Sequence, residues 1–245
     1  MTIRYVVRPP SMLTTPRMLA QRLNAQRVVS VQARGVTFDP EQDFFMTYPV
    51  LDRMEDYDEG YRRLYDFSRR TKFDQMLFLG TNGIKTPRDY NSLGVGVRRP
   101  LRHHGGSDFT MVSSVSSSPE GYYTVPFFPK EYEYRMLYVK GTLVATLAKV
   151  MPAGTPNNVP WNHTHGASFQ QVEWNRCRLR FTSVKSDLES CSVIRHASIV
   201  GVDVMLKRPE GSTNGWDYAV CEFNFCPGLS IEPVIQKVIE HANRS

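Results

Sequence analysis

Two carboxylates and an amide near the C-terminus are the residues best suited to chemistry. Asp203 stands inside an apolar run, Gly201-Val-Asp203-Val-Met-Leu206, and Glu222 and Asn224 stand two residues apart in Tyr218-Ala-Val-Cys-Glu222-Phe-Asn224. The stretch between these runs, Lys207-Arg-Pro-Glu-Gly-Ser-Thr-Asn-Gly-Trp-Asp217, is rich in turn formers and predicts the loop of a β-hairpin. A hairpin nearly symmetric about that loop sets Asp203 opposite Glu222, or close to it. Side chains alternate along a strand, so Glu222 and Asn224 share a face that Asp203 joins from the partner strand. Oxygen ligands of this kind suit a hard divalent cation, in particular Mg²⁺ shared with nucleotide phosphates. The plainer alternative is a solvated polar face on an edge strand. Apolar neighbours around all three residues and the abrupt stop at Pro227-Gly228 argue against it.

The pattern Gly-x-Asp203, then Glu222-x-Asn224-x-x-Pro227-Gly228, resembles the metal-binding signature of the ATP-grasp superfamily. That group includes D-alanine–D-alanine ligase, glutathione synthetase and peptide-tagging carboxylate–amine ligases. The resemblance implies that Asp203, Glu222 and Asn224 hold the Mg²⁺ ions that bridge the phosphates of ATP. It extends upstream in chain order. Thr71-Lys72 through Gly83-Ile-Lys-Thr-Pro87 is similar to the helix that opens the grasp, with Lys72 at its start facing the nucleotide. Gly96-Val-Arg98-Arg99-Pro100 and Gly105-Gly106-Ser-Asp-Phe109 resemble a strand ending in Lys-Pro and a glycine-rich flap over the phosphates. Arg99 stands where the family has Lys, which keeps the positive charge and changes the geometry.

The run Tyr123 to Val139, the turn Lys140-Gly141-Thr142 and the return Leu143 to Lys149 predict a central hairpin. By resemblance, its approach carries the adenine, with Phe128 as the base contact, although residues such as Phe127 and Phe128 more often pack a core than stack on a base. The acid that takes the ribose hydroxyls in the family matches Glu133 here, with Glu131 as its competitor. Arg135, two residues on, resembles an arginine that faces the acyl end of the substrate, and its alternative role is an ion pair with Glu133 or Glu131. Trp161-Asn162-His163-Thr-His165-Gly166 occupies the place of a loop whose Asn serves the phosphates or metal, which assigns Asn162. His163 and His165 lack a companion Cys or acid at zinc spacing and read as structural or substrate contacts.

The elements that must position these residues follow. The fold class expected is α+β: an ATP-grasp fold of two α/β lobes gripping ATP, preceded by a short α/β pre-ATP-grasp domain. Residues 1–65 form the reduced leading domain, 66–125 the first lobe, and 126–245 the second lobe with the metal-binding hairpin. The first helix is introduced by Thr15-Pro16. Ser186-Asp-Leu-Glu189 predicts a capping box that opens a helix toward Ala197, and a last helix runs from about Glu232 to Asn243. The hydrophobic fraction of 41% over 245 residues is enough to build real cores.

No apolar run approaches membrane-spanning length and no signal peptide is visible, and four irregularly spaced cysteines fit neither a disulfide framework nor a zinc ribbon. The expected compartment is the cytoplasm. Thirty basic against 24 acidic residues leave +6, and the first 38 residues hold six Arg and no Asp or Glu. Beyond an ATP site, that balance suits an acidic peptide, a nucleic acid or another polyanion, or an ordinary basic surface. The resemblance implies ligation of a carboxylate to an amine through an acyl phosphate, with ATP and Mg²⁺. A kinase acting on a hydroxyl, or a non-catalytic nucleotide- or nucleic-acid-binding protein, are the alternatives. The short leading domain, Arg98-Arg-Pro-Leu-Arg-His-His-Gly-Gly106 and Trp161-Asn-His163 also resemble ATP-grasp proteins of tailed bacteriophages, for which the compartment is the host cytoplasm.

Overall fold

The structure, a computed structural model, describes residues 3–9, 14–33, 36–47, 58–90, 94–101, 109–115, 118–156, 158–161, 165–211 and 215–243, with the side chains of 174–179 left aside. Among the described residues, three β-sheets organise the fold. A parallel sheet of order β2-β1-β3 joins β1 (Tyr5–Arg8), β2 (Arg27–Ser30) and β3 (Phe44–Phe45). Helix α1 (Thr14–Arg22) links β1 to β2 and buries Leu19 and Ala20. An antiparallel sheet of order β5-β4-β6 comprises β4 (Gly96–Pro100), β5 (Thr110–Val112) and β6 (Tyr122–Pro126). The third, of order β11-β10-β7-β8-β9, holds β7 (Tyr132–Val139), β8 (Thr142–Val150), β9 (Ser168–Val172), β10 (Val200–Lys207) and β11 (Asp217–Asn224).

Helices cover the large sheet because their apolar residues recur at helical spacing. α2 (Glu59–Arg69) buries Tyr61, Leu64 and Phe67, and its N-cap Asp58 accepts a hydrogen bond from the Tyr61 N–H at 3.0 Å. α3 (Lys72–Thr81) is capped by Thr71, whose hydroxyl accepts from the Asp74 N–H. α6 (Glu232–Asn243) turns Val234, Ile235, Val238, Ile239 and Ala242 inward. One core lies between the sheet face of Tyr134, Met136, Val202, Val204, Val220 and Phe223 and the helices α2, α4 (Trp174–Ser190) and α5 (Ser192–His196). A second packs α1 and α6 against Leu137, Ala145 and Leu147 on the other face.

Two expectations need correction. Ser186–Glu189 does not open a helix: α4 runs through it to Ser190, and the next helix, α5, starts at Ser192. Phe181, Val184 and Leu188, all buried, share one face of α4, and that packing carries the helix past a local capping signal. The run from Tyr123 to Val139 is not one strand either. Tyr122–Pro126 pairs with β4 in the small sheet, and the chain breaks before β7 begins in the large one.

The central hairpin turns as expected, with Lys140 at φ 45° and Gly141 at φ 79° forming a two-residue reversal. A side chain at Gly141 would also approach the Arg195 Cα at 3.3 Å. The last helix falls where the sequence put it, and the first already includes Thr14, so Thr15 lies in its first turn with Pro16 rather than capping it.

Candidate functional site

The face of the large sheet turned away from α2 and α4 gathers the charged residues. Asp203 on β10 lies directly across from Glu222 on β11 and from Arg135 on β7, and Gly201 lies across from Asn224. The register then slips by one residue at Asp203/Val204, because Cys221 is an extra residue on β11. A bulge of this kind bends the strand and re-aims its side chains. A second bulge, at Val144 on β8, shifts the central hairpin so that Leu137 pairs with Ala145 and Tyr134 with Ala148. Continuing that register brings Lys149 opposite Glu133.

A chain of buried ion pairs results. Arg135 grips Asp203 in a fork, Nε donating to Oδ1 at 2.7 Å and Nη2 to Oδ2 at 2.9 Å. Lys149 Nζ donates to Asp203 Oδ2 at 2.9 Å and also to Glu133 Oε1, while Lys130 Nζ donates to Glu133 Oε2. Asp203 and Glu133 are 3% and 5% exposed. Burial would raise the Asp203 pKa, but Lys149 and Arg135 outweigh it and hold the carboxyl at about 2. Burial opposes the charge of Lys149 and Arg135 in turn, and the facing carboxylates outweigh it and raise both.

Gly201 explains the Gly-x-Asp spacing. A Cβ there would meet Arg135 Cδ at 2.9 Å and Pro227 Cβ at 3.3 Å, so only glycine leaves room for the arginine stem beneath the Pro-Gly turn. The Arg135 guanidinium continues over the Phe169 ring of β9, 4.6 Å from its centroid.

Glu222 is held more loosely. Lys72, the first residue of α3, reaches its Oε2 at 2.6 Å, and both side chains are more than a fifth exposed. Asn224 Oδ1 accepts from the Cys226 N–H at 3.0 Å, closing the turn before Pro227. The far edge of β11 is occupied by the segment that follows α3, through Val220 N–H donating to the Lys85 carbonyl at 2.8 Å. The Gly83-to-Pro87 phrase thus docks onto the strand that carries Glu222.

Arg99 on β4 pairs with Tyr123 across the small sheet and lies within hydrogen-bonding reach of its phenol. Burial raises the Tyr123 pKa, and Arg99, Cys221 and Glu222 are the charged or ionisable groups it senses. The small sheet therefore brings its arginine to the metal-signature strand.

Beside the ion pairs lies an apolar floor of Phe128, Met205 and Ala219, joined by Tyr90 and Cys221. Phe128 meets Tyr90 edge-on at 5.1 Å, and Lys207 Nζ sits 4.2 Å from the Tyr90 ring centroid. Trp161 rests on Lys130, its ring 4.8 Å from Nζ. Glu131, the competitor of Glu133, points elsewhere: it is exposed and accepts the Arg208 N–H.

Of the residues singled out in the sequence, Lys72, Arg99, Phe128, Glu133, Arg135, Asp203, Glu222 and Asn224 converge on this cleft. Asn162, Gly105 and Gly106, with His163, lie outside the described residues. Sequence reasoning missed Lys130, Lys149 and Tyr90, while Cys221, beside the signature, packs in the strand as its apolar neighbours suggest. The bulge at Val144 hid Lys149, since an unbulged register turns it to the other face.

The donor set fits Mg²⁺. It consists of carboxylate and amide oxygen alone, on facing positions of adjacent strands, and Glu222 Oε1 takes no bond among the described residues. No three His, Cys, Asp or Glu side chains cluster as metal ligands among the described residues, so the amide of Asn224 is needed to complete a trio. Lys72, Arg99, Lys130, Arg135 and Lys149 outnumber Glu133, Asp203 and Glu222, and the surplus positive charge suits a polyphosphate.

No family model matches the chain, and no curated protein matches it in sequence. Solved structures do. The ATP-grasp ligase PsnB complexed with minimal precursor is 14% identical with a TM-score of 0.56, covering 98% of this chain and 99% of that one. An ATP-grasp ligase associated with ribosomal peptide products in Chryseobacterium gregarium, in complex with ADP and a leader and core peptide, is 12% identical at 0.56, covering 100% and 98%. D-alanine–D-alanine ligase from Bacillus anthracis complexed with ATP is 13% identical at 0.51, again covering 100% and 98%. Among the described residues, no helix is long and apolar enough to cross a membrane.

Proposed function

From the premise that this chain has the ATP-grasp fold over its full length, we propose that it is an ATP- and Mg²⁺-dependent ligase that joins a carboxylate to an amine. The observation that carries the reading is the convergence of Asp203, Glu222 and Asn224 with Lys72, Arg99, Arg135 and Lys149 on one sheet face. Asp203, Glu222 and Asn224 would hold Mg²⁺, which supplies charge neutralisation between the phosphates. Lys72 and Arg99 face the triphosphate from the first lobe. The floor of Phe128, Met205, Ala219 and Tyr90 suits the base, and Glu133 is near enough to serve the ribose.

In this reading a substrate carboxylate oxygen attacks the γ-phosphorus and ADP leaves. The amine then attacks the acyl carbon, inorganic phosphate departs, and the amine proton passes to water. Such a reaction demands positioning and electrostatics more than a protein nucleophile. The carboxylate and amine are drawn from a peptide. Two of the similar structures are named for complexes with precursor or leader and core peptides, and the +6 charge of this chain suits an acidic one. Residues 1–65 act as the small pre-grasp domain, and 66–125 and 126–245 as the two grasping lobes.

The test is phosphate release from ATP measured against a panel of acidic peptides with and without free amines, and with hydroxylamine as the trap. Release that needs both an acid and an amine, with hydroxamate formed when hydroxylamine replaces the amine, supports the ligase. Phosphate transferred to a hydroxyl, with no hydroxamate, replaces it with a kinase.

A further inference from the structure

Lys72, Lys130, Arg135 and Lys149, cations of this cleft that a polyphosphate would meet, are already spent on carboxylates. Lys72 sits on Glu222, Arg135 and Lys149 sit on Asp203, and Lys149 with Lys130 sits on Glu133. Lys149 is the link, because one ammonium bridges the acid of β7 to the acid of β10. Resting on the ATP and Mg²⁺ reading above, we infer that Lys149 and Arg135 are phosphate-binding residues stored on Asp203. They leave it only as a metal takes their place, so metal and nucleotide bind as a pair.

The argument is one of stranded charge. The Arg135 and Lys149 side chains are each 11% exposed, and that of Asp203 is 4% exposed. A divalent cation arriving alone on Asp203 would displace two buried cations with no anion to receive them. A nucleotide arriving alone would draw those cations off and leave a buried carboxylate bare. Either single step isolates a charge in a low-dielectric site, which is the costly outcome for a buried pair. Together the steps exchange partners and isolate nothing.

Both oxygens of Asp203 are engaged, Oδ1 by one donor and Oδ2 by two. Three of the roughly four lone-pair positions of this carboxylate are thus taken, which obstructs the metal-first route on β10, while Glu222 and Asn224 at the rim offer too few ligands to hold a cation firmly alone. Coupling of this kind is reciprocal: metal tightens nucleotide by the factor that nucleotide tightens metal.

The experiment titrates Mn²⁺ into nucleotide-free protein, read by electron paramagnetic resonance of the free ion, for the wild type and Lys149→Met. Lys149→Met empties one position on Oδ2, so Mn²⁺ alone should bind about tenfold tighter or more. The same substitution should weaken the ATP analogue AMP-PNP by a comparable factor. Lys130→Met removes the same charge from Glu133 only and should leave Mn²⁺ binding close to wild type. Opposite signs for the two ligands are an outcome that mere loss of structure does not produce.

Lys149→Gln, which keeps a donor for the two acids, serves if the methionine variant fails to fold. Firm Mn²⁺ binding by the nucleotide-free wild type overturns the exchange, and so does unchanged Mn²⁺ affinity in both Lys149 variants. Either result beside normal AMP-PNP binding leaves the ATP reading standing. Failure of AMP-PNP to bind at any Mn²⁺ concentration overturns both.

Discussion

Asp203 and Glu222 face each other across β10 and β11, yet their surroundings differ. Asp203 belongs to the interior of the sheet, on a strand flanked on both sides, and receives three hydrogen bonds from two cations. Glu222 stands on the outermost strand, 29% exposed, and receives one, from Lys72. One position is wired into the fold and the other is open to solvent. The difference teaches that a three-residue signature read as a unit is not physically uniform: its interior member is bound into the fold, and its rim members are freer for the metal-binding role proposed for all three.

The largest expected effect falls on the interior. Asp203→Asn keeps the shape of the side chain but leaves Arg135 and Lys149 buried against a neutral amide. Removing one partner of a buried pair costs about 3–5 kcal/mol, which in a chain of this size lowers the midpoint of thermal unfolding by roughly 10 °C. Urea denaturation and calorimetry measure it. A loss no greater than that of Glu222→Gln would erase the distinction between the two acids.

Glu222→Gln should do the reverse. The Lys72 pair is partly solvated, so its loss costs under about 1 kcal/mol of stability. Turnover of ATP should fall about 100-fold or more, as expected when a charge aimed at the reacting phosphates is removed. Wild-type turnover in this variant would take Glu222 out of the reaction.

Acid sharpens the contrast further. Lys149 and Arg135 outweigh burial and depress the Asp203 pKa to about 2, below the ~3.9 of an aspartate in an unfolded chain. The unfolded state therefore binds the proton first. The stabilisation from this group is complete above the unfolded value and is lost as pH falls through the folded one, between about pH 4 and pH 2. In chelator-treated protein it amounts to roughly 2 kcal/mol. Stability measured across that window should fall more steeply for the wild type than for Asp203→Asn, and parallel curves would contradict the paired carboxylate.

Much of this was legible in the sequence, for physical reasons that differ by element. The alternation in Val200–Lys207 and Asp217–Asn224 marks strands because two-residue periodicity is local, but a symmetric loop that pairs Lys207 with Asp217 sets Asp203 opposite Cys221, and it is the bulge that brings Glu222 across from it. α6 announces itself by the spacing of its apolar residues. The bulges at Cys221 and Val144 were not legible, since a single extra residue is chosen by packing across strands that no local pattern records. Lys149 was lost for that reason, although it sits in a stretch the sequence identified as a strand. The false capping box at Ser186 failed in the opposite way: a genuine local signal was overruled by the buried face of Phe181, Val184 and Leu188. For Arg135 the alternative role, an ion pair with Glu133 or Glu131, gives way to a fork on Asp203, because the depth of Asp203 cannot be read from a chain.

The smallest expected effect belongs to the other rim residue. Asn224 accepts one backbone N–H, from Cys226, in the turn that leads to Pro227 and Gly228. Apart from metal, its structural role is thus a local turn closure of the kind short Asn and Asp side chains make. Asn224→Ala deletes the acceptor and should cost about 1 kcal/mol, the usual net worth of one such bond. Asn224→Asp keeps an acceptor oxygen in the same place and should leave stability within about 0.5 kcal/mol of wild type. The added charge faces Glu222 across the strand's own pleat, with Lys72 nearby to offset it. Equilibrium unfolding in urea, with chelator present, separates the two variants. If Asn224→Asp proved as damaging as Asn224→Ala, the side chain would be doing more than closing its turn, and the rim would be coupled to the interior network after all.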